Sequence, residues 1–403
     1  MTTQLSFSTR RTDNQGLYFL SALAIFVNPL AEAPKNIAMA LLLLWVIIQA
    51  VMNKQTRTWS GWDLFFALYM LSFLVGLPFA AYHTDIGSLT DVARYSLFGW
   101  VIYRASFNEK QKVGLVFWAM MGTFVGLIYG AWAHFYTGSE QYWTLNSVGH
   151  VNHAAIYNAI ICGMALAFLF SYWSTLTAGK RLMWIAMLAL SLVYVAFGES
   201  RATFGAVLVV VLILGVGFAR KSKKFLLLPA VFIAGLIAVA VLSNARVVVK
   251  QEQNEATDNV LSYRDVIWSS AFDVIKQHPL FGIGKENFKK IDINKWPDNK
   301  PLFTHVSHAH NIFINVLTEN GIWGAFWIFG LFGAMGVTLV RYVPKRHASP
   351  VSWLTWGTAC SALVVTLVVG LVNTTFHHEH ANLSMFCFAL WLSQYRYDNQ
   401  RFI

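Results

Sequence analysis

Long, uninterrupted blocks of apolar residues constrain this sequence more than any other feature. Blocks of about 18–25 apolar residues have the length that a helix needs to cross the hydrocarbon core of a bilayer. Only 12% of the 403 residues are charged, against about 25% in typical soluble domains, so too little polar sequence remains to cover one large soluble core. Because backbone groups in lipid must bond within their own segment, we expect the blocks to be helices.

The apolar blocks predict an all-α polytopic membrane protein with about twelve transmembrane helices. A small-residue stretch at 31–33 resembles a signal-peptidase site, but Pro34 is unfavourable for cleavage, so the first span is predicted to be retained. The three cysteines lie in apolar spans, without metal-like spacing, and are interpreted as small buried hydrophobic residues. The predicted spans are 16–31, 35–52, 61–80, 88–104, 112–135, 152–174, 181–197, 202–219, 225–243, 310–340, 352–372 and 381–396.

The basic residues indicate how these spans are oriented. Lys and Arg concentrate in short cytoplasmic loops of membrane proteins. With a cytoplasmic N-terminus, the short loops on the opposite side hold almost no Lys or Arg, and Lys35 is the main exception. This orientation requires an even number of spans and places both termini in the cytoplasm. The net charge of +11 is therefore interpreted as a topology signal, and no nucleic acid is predicted as a partner. The residues collected on the cytoplasmic side include Lys54, Arg57, Arg104, Lys112, Arg220, Lys224, Arg341, Lys345 and Arg396.

One outward-facing connection, residues 244–309, is far longer than the others. It divides the chain into spans 1–9 (1–243), a cap loop (244–309) and spans 10–12 (310–403). Apolar residues recur at helical spacing from Ser262 to about Gln277, which predicts a helix inside this loop. The sequence FGIG then predicts a tight turn, so we expect an ordered cap over the outer face.

Three motifs in this outer region resemble the O-antigen ligase family. The sequence HNIFINVLTENGIWG has a His-Asn pair, nine residues, Gly321, two residues and Gly324, which is similar to a pattern of that family. The stretch YRDVIWSSAFDVIKQHPLFGIGKENF resembles its outer-loop signature, in which an arginine on a helix precedes a glycine turn. SRATFGA at 200–206 resembles its element at the outer start of a span.

The resemblance implies a metal-independent, inverting glycosyltransferase of the C-type membrane class (GT-C), in the bacterial inner membrane with its active site facing the periplasm. Such an enzyme takes O-antigen from undecaprenyl diphosphate and transfers it to a sugar hydroxyl of lipid A–core oligosaccharide. The resemblance therefore implies three partners: undecaprenyl-diphosphate-linked O-antigen, lipid A–core oligosaccharide and membrane lipids. No cofactor is expected.

Residue chemistry supports three catalytic candidates within this scheme. Arg201 and Arg264 face outward, where their guanidinium groups can bind a lipid diphosphate. His310 lies at the mouth of the tenth span and is the candidate base for the acceptor hydroxyl. The predicted substrate-binding residues are Asn311, His308, Gly282, Gly284 and Glu379.

Simpler interpretations of the same residues remain open. His310 could cap a helix, Arg201 could pair with Glu199, and the two glycines could only form a turn. The HHEH sequence at 377–380 offers zinc-ligand chemistry, but its spacing is not that of ligands on one helix face, so no metal is predicted. The alternative functions are an O-antigen polymerase or a protein O-oligosaccharyltransferase of the same superfamily. A lipid-glycan transporter is the third alternative. Transporters often have internal repeats and charged residues near the bilayer midplane, but this sequence has no evident repeat, and Glu319 is its main candidate for such a charge.

Overall fold

The chain folds into a bundle of α-helices. A computed structural model describes residues 11–52, 59–84, 86–140, 142–148, 150–197, 200–242, 263–293 and 306–400. These residues contain no β-strand, and their α-helices are α1 (Arg11–Val27), α2 (Glu32–Met52), α3 (Gly61–Gly76), α4 (Ile86–Arg104), α5 (Glu109–Ala131), α6 (Val151–Tyr172), α7 (Ala178–Phe197), α8 (Arg201–Phe218), α9 (Leu227–Leu242), α10 (Arg264–Gln277), α11 (Ile312–Arg341), α12 (Pro350–Gly370) and α13 (His378–Gln400).

Each predicted span overlaps one of these helices, and α10 is the helix predicted inside the cap loop. Eight helices of the described residues are long and apolar enough to cross a membrane. The helices α1, α4, α9 and α13 do not meet that criterion of length and composition. The architecture is consistent with a polytopic membrane protein, whereas the number of twelve spans stays a prediction.

Several sequence-based expectations fall on residues outside the described ranges. Among these are the predicted helix start at Ser262, the proposed Glu199 partner of Arg201, and the cytoplasmic basic residues Lys54 and Arg57. Nearly half of the cap loop, residues 244–262 and 294–305, also lies there. The part of the cap that the structure describes consists of α10, the turn that follows it, residues 285–293 and the segment 306–309.

The helices α6 and α12 form the centre of the bundle. They pack against each other, and α12 also packs against α8 and α13. Small residues allow this close packing: a side chain at Gly163 of α6 would collide with Ser361 of α12, as is typical of helix contacts in membranes. The Asn158 amide, buried in α6, donates to the Ser191 carbonyl oxygen at 2.6 Å.

Helix α11 is broken about one third of the way along, at Gly321, which has φ 61° and ψ −167°. In a regular helix each N–H bonds to the carbonyl four residues earlier. The break separates two such pairs, Ile322 from Thr318 and Trp323 from Glu319. Two carbonyls and two N–H groups inside the bundle therefore need other partners.

The turn at 279–284, which we call the cap turn, supplies all four partners. A side chain at Gly321 would collide with the Leu280 backbone, and one at Gly282, where φ is 67°, would lie 2.6 Å from the Thr318 carbonyl oxygen. The glycines thus let the two backbones meet. The hydrogen bonds are Ile283 N to Thr318 O (3.0 Å), Gly284 N to Glu319 O (2.8 Å), Ile322 N to Pro279 O (2.9 Å) and Trp323 N to Leu280 O (3.0 Å).

Candidate functional site

Three helices, α8, α10 and α11, begin at one end of the bundle, which we call the site end. Arg201 is the first residue of α8, Arg264 is the first residue of α10, and His310 precedes the cap of α11. Helix N-termini carry partial positive charge and favour anions. The two arginines add full positive charges there, so the arrangement suits a strongly anionic ligand.

The segment that carries His310 is held from both sides. The Trp268 indole of α10 donates to the Ala309 carbonyl oxygen at 2.9 Å. The Ala309 N–H donates to Oδ1 of Asn315 in α11, also at 2.9 Å. Because Ala309 is buried in a small hydrophobic cluster between α10 and α11, the position of His310 depends on the docking of the cap helix.

Asn311 caps helix α11. Its Oδ1 accepts from the N–H groups of Phe313 at 2.8 Å and Ile314 at 3.0 Å. Its Nδ2 donates to the Leu371 carbonyl oxygen at 2.8 Å. The amide is thus bonded at both ends, which gives Asn311 a structural role; the substrate contact predicted for it stays a prediction.

The His310 imidazole is partly buried and electrically neutral at pH 7. Its backbone has φ 50°, a left-handed conformation that histidine adopts more readily than most residues. Oδ1 of Asn373 accepts from Thr374 N at 2.9 Å and lies 3.4 Å from His310 Nδ1, so Nδ1 donates and Nε2 carries the free lone pair. Burial and then the Arg264 charge lower the pKa of His310 to about 4.

Arg264 and Arg201 lie close enough to affect each other. Burial lowers the pKa of Arg264, and the Arg201 charge lowers it further. Since Arg264 also acts on His310, the structure brings together all three residues that were predicted to be catalytic. Two like charges held near each other repel, and a dianion between them would relieve that repulsion.

Histidines form a cluster beside this group. The His308 ring centroid lies 4.4 Å from that of His310, and the His153 centroid lies 4.5 Å from that of His377. Burial, and then the neighbouring His310, lower the pKa of His308 to about 2. In the part of the chain that the structure describes, no three His, Cys, Asp or Glu side chains are arranged to hold a metal ion.

A cavity of about 320 Å³ opens beside His308. It lies between α3, α4, α6, α11, the residues after the cap turn, and the segment 374–378 that leads into α13. Arg201, Arg264 and His310 are not among its wall residues. The wall is formed by Tyr69, Phe73, Tyr95, His153, Lys285, Glu286, Lys289, Ser307, His308, Ile312, Asn315, Val316, Glu319, Asn320, Ile328, Thr374, Thr375, Phe376, His377 and His378.

Several residues of this region were missed from sequence. Asn373 orients His310 but carries no distinctive motif, and Lys285 follows the cap turn as an ordinary-looking basic residue. Burial acts to lower the pKa of Lys285, but the nearby Tyr95, Glu319 and Glu286 outweigh it and raise that pKa. The one sequence feature that could have indicated this region is Glu319, an acidic residue inside an apolar run.

Glu379 lies away from the cavity wall and is buried. Its carboxylate pairs with the Lys35 ammonium group of α2, which also lies 2.9 Å from Glu32. The Asn28 amide donates to the Glu379 carbonyl oxygen at 3.1 Å. The pair explains why Lys35 departs from the charge distribution of the other basic residues, and it gives Glu379 a structural partner where substrate binding was predicted.

Gly282 and Gly284 also have structural reasons to be glycine. Both have positive φ, and a side chain at Gly284 would lie 2.7 Å from the Asn287 amide nitrogen and 2.9 Å from the Tyr82 carbonyl oxygen. The close contacts that these glycines permit are therefore contacts with the protein itself. Their predicted substrate contacts stay predictions.

The fold and the site end define a multi-helix protein consistent with a membrane location, in which a histidine and two arginines converge where three helices begin. Residues 186–329 match the family model described as O-antigen ligase. The match runs from α7 into α11, includes Arg201, Arg264 and His310, and supports membership of the O-antigen ligase superfamily, which confirms the family resemblance. No curated protein matches the chain.

Proposed function

We propose that this protein is an O-antigen ligase. It transfers O-antigen from undecaprenyl diphosphate to a sugar hydroxyl of lipid A–core oligosaccharide, at the periplasmic face of the bacterial inner membrane, with inversion and without a metal. The observation that carries the proposal is the convergence of His310, Arg264 and Arg201 within the segment 186–329 that matches the O-antigen ligase family. These residues are distant in sequence and come from three different helix starts.

The arginines are proposed to bind the diphosphate leaving group. As the bond between the anomeric carbon and the phosphate oxygen breaks, negative charge grows on that oxygen. Arg264 and Arg201, aided by the N-termini of α8 and α10, would stabilise this charge with preorganised donors. The mutual repulsion of the two arginines in the free protein favours occupation of this position by an anion.

His310 is proposed to act as the general base. Nε2 would take the proton of the acceptor hydroxyl while that oxygen bonds to the anomeric carbon, and the proton would then pass to solvent. A base of this kind contributes about 10²–10⁴ in rate. It is most effective with a pKa near the working pH, so a pKa of about 4 indicates a weak base in the free protein.

Donor binding would strengthen this base. The Arg264 charge is one of the causes of the low His310 pKa. A diphosphate paired with Arg264 would neutralise that charge, and the pKa of His310 would rise toward neutrality. The base would then be strongest only when the donor is in place, which would limit the reaction to the complete complex.

A reconstituted transfer reaction tests the proposal. Purified protein in nanodiscs is mixed with undecaprenyl-diphosphate-linked O-antigen and lipid A–core in the presence of EDTA, and ladder-type lipopolysaccharide is read on a gel. The wild type is expected to give a ladder, and His310→Ala to reduce its rate by about 100-fold or more. The matched control is His347→Ala, an exposed histidine in the connection between α11 and α12, which should retain full activity.

Other outcomes distinguish the alternatives. Longer lipid-linked glycan without a ladder would indicate a polymerase, and loss of the ladder with EDTA would indicate a metal requirement. Full activity of a folded His310→Ala variant would exclude His310 as the base.

A further inference from the structure

The cavity beside His308 has a composition that suits a carbohydrate. We propose that it binds one sugar unit of the acceptor glycan, with Glu319 and Thr374 as hydrogen-bonding groups and the Tyr95 and Phe376 rings as the stacking surface. This inference rests on the proposed function, and it names the place where the acceptor is held.

The size and shape of the cavity favour a sugar over a lipid chain. Its volume of about 320 Å³ is at the small end of ligand pockets, which span about 300–1,000 Å³. The wall is mixed, with aromatic rings next to two carboxylates, two lysines, four histidines, amides and hydroxyls. A sugar presents the matching surface, because its C–H face packs on aromatic rings and its hydroxyls need hydrogen-bonding partners.

Two buried polar side chains on the wall can bond to a ligand, and one of them lacks a partner in the free protein. The Thr374 side chain is only 7% exposed, and its hydroxyl has no hydrogen-bond partner within the described residues. Glu319 is also 7% exposed; its carboxylate accepts a long hydrogen bond, 3.4 Å, from the Phe288 N–H and interacts with the backbone of Glu286 and the charge of Lys285. Buried polar groups normally have at least one hydrogen-bond partner; a ligand hydroxyl would supply the one that Thr374 lacks, and the Glu319 carboxylate would accept from a second hydroxyl.

The position of the cavity assigns it to the acceptor. The two arginines proposed to hold the donor diphosphate do not line it. His308 does, and its ring lies 4.4 Å, centroid to centroid, from the ring of His310, the proposed base. Inversion requires the nucleophile and the leaving group on opposite sides of the anomeric carbon, so a compartment next to the histidines but apart from the arginines fits the acceptor.

The test measures binding without turnover. Core oligosaccharide released from lipopolysaccharide is titrated onto the full-length protein in nanodiscs and followed by saturation-transfer NMR, and undecaprenyl diphosphate is titrated in parallel. Thr374→Val keeps the side-chain volume and removes the hydroxyl. It should weaken oligosaccharide binding about fivefold, the effect of one neutral hydrogen bond, and leave undecaprenyl diphosphate binding unchanged.

Two further variants sharpen the result. Glu319→Gln should weaken oligosaccharide binding by about tenfold or more, because hydrogen bonds to a charged group are stronger. Thr338→Val makes the same chemical change as Thr374→Val on α11, away from the cavity wall, and should bind like the wild type. If Glu319→Gln does not fold, Thr374→Val alone decides.

Unchanged oligosaccharide binding in folded Thr374→Val, or no binding by the wild type, would overturn the proposal. Weaker binding of undecaprenyl diphosphate instead would also overturn it, since the cavity would then hold the donor. Because no transfer is needed, a wild type that binds oligosaccharide through Thr374 but forms no ladder would refute the ligase activity and not the pocket.

Discussion

At the scale of single residues, the protonation state of His310 depends on two opposed neighbours. Burial and the Arg264 charge lower its pKa to about 4, whereas the hydrogen bond to Asn373 raises it. In a base-catalysed transfer, activity falls when the imidazole becomes protonated. The acidic limb of the pH profile for the free enzyme therefore reports the His310 pKa directly.

Replacement of Asn373 by aspartate should move that limb. A carboxylate beside the imidazole favours the protonated form, so Asn373→Asp should raise the His310 pKa above about 4 and shift the acidic limb of kcat/KM to higher pH. Asn373→Ala removes the hydrogen bond that raises the pKa and should shift the limb the other way or lower the rate without a shift. The measurement is kcat/KM from pH 4 to 8, and coincident limbs in all three proteins would contradict the assignment.

The sequence identified His310 and the two arginines but not Asn373, the residue that orients the imidazole. His310, Arg264 and Arg201 follow helix-start patterns and could be found by motif and spacing. Asn373 lies 63 residues after His310, in a turn between α12 and α13, and an asparagine in a turn is unremarkable by itself. Its role depends on how α12 packs beside α11, which local sequence does not encode.

At the scale of elements, the break in α11 joins the cap to the bundle. The sequence predicted both the span and the glycine turn, but not that one fits into the other. The left-handed conformation of Gly321 has no local sequence signal. The exchange of two helical hydrogen bonds for four bonds to the cap turn becomes apparent only when residues 279–284 and 318–323 are adjacent.

A pair of glycine substitutions on α11 tests this junction. Gly321→Ala places a side chain at positive φ and against the Leu280 backbone, and the unfavourable conformation alone costs about 1–3 kcal/mol. Gly333→Ala adds a side chain into open space on the same helix and should be neutral or stabilising by up to about 1 kcal/mol. The melting temperature in detergent should therefore fall only for Gly321→Ala. Equal melting temperatures would mean that the cap turn does not depend on the break.

At the scale of the whole molecule, apolar block length predicted which segments are helical, and the structure has a helix at each of them. The buried pair of Lys35 and Glu379 joins the start of α2 to the start of α13, so an early and a late helix of the chain meet near the site end. Block length cannot reveal such a pairing, because it depends on which helices become neighbours. Block length also cannot decide whether each helix spans the membrane: α9 has only 16 residues, and α13 has 23 but is not among the eight helices that are long and apolar enough.

The orientation of the bundle is the remaining expectation from charge, and it decides whether the site end meets the periplasm. The three native cysteines are buried, so the wild type is a low-background control for labelling. Lys289→Cys, exposed beside the cavity, and Lys345→Cys, exposed between α11 and α12, are treated in intact cells with a membrane-impermeant maleimide. The first variant should react at once, whereas the second should react only after the inner membrane is permeabilised, because Lys345 belongs to the basic cytoplasmic loops. The reverse pattern would put His310 and both arginines in the cytoplasm, where a periplasmic ligation reaction could not use them.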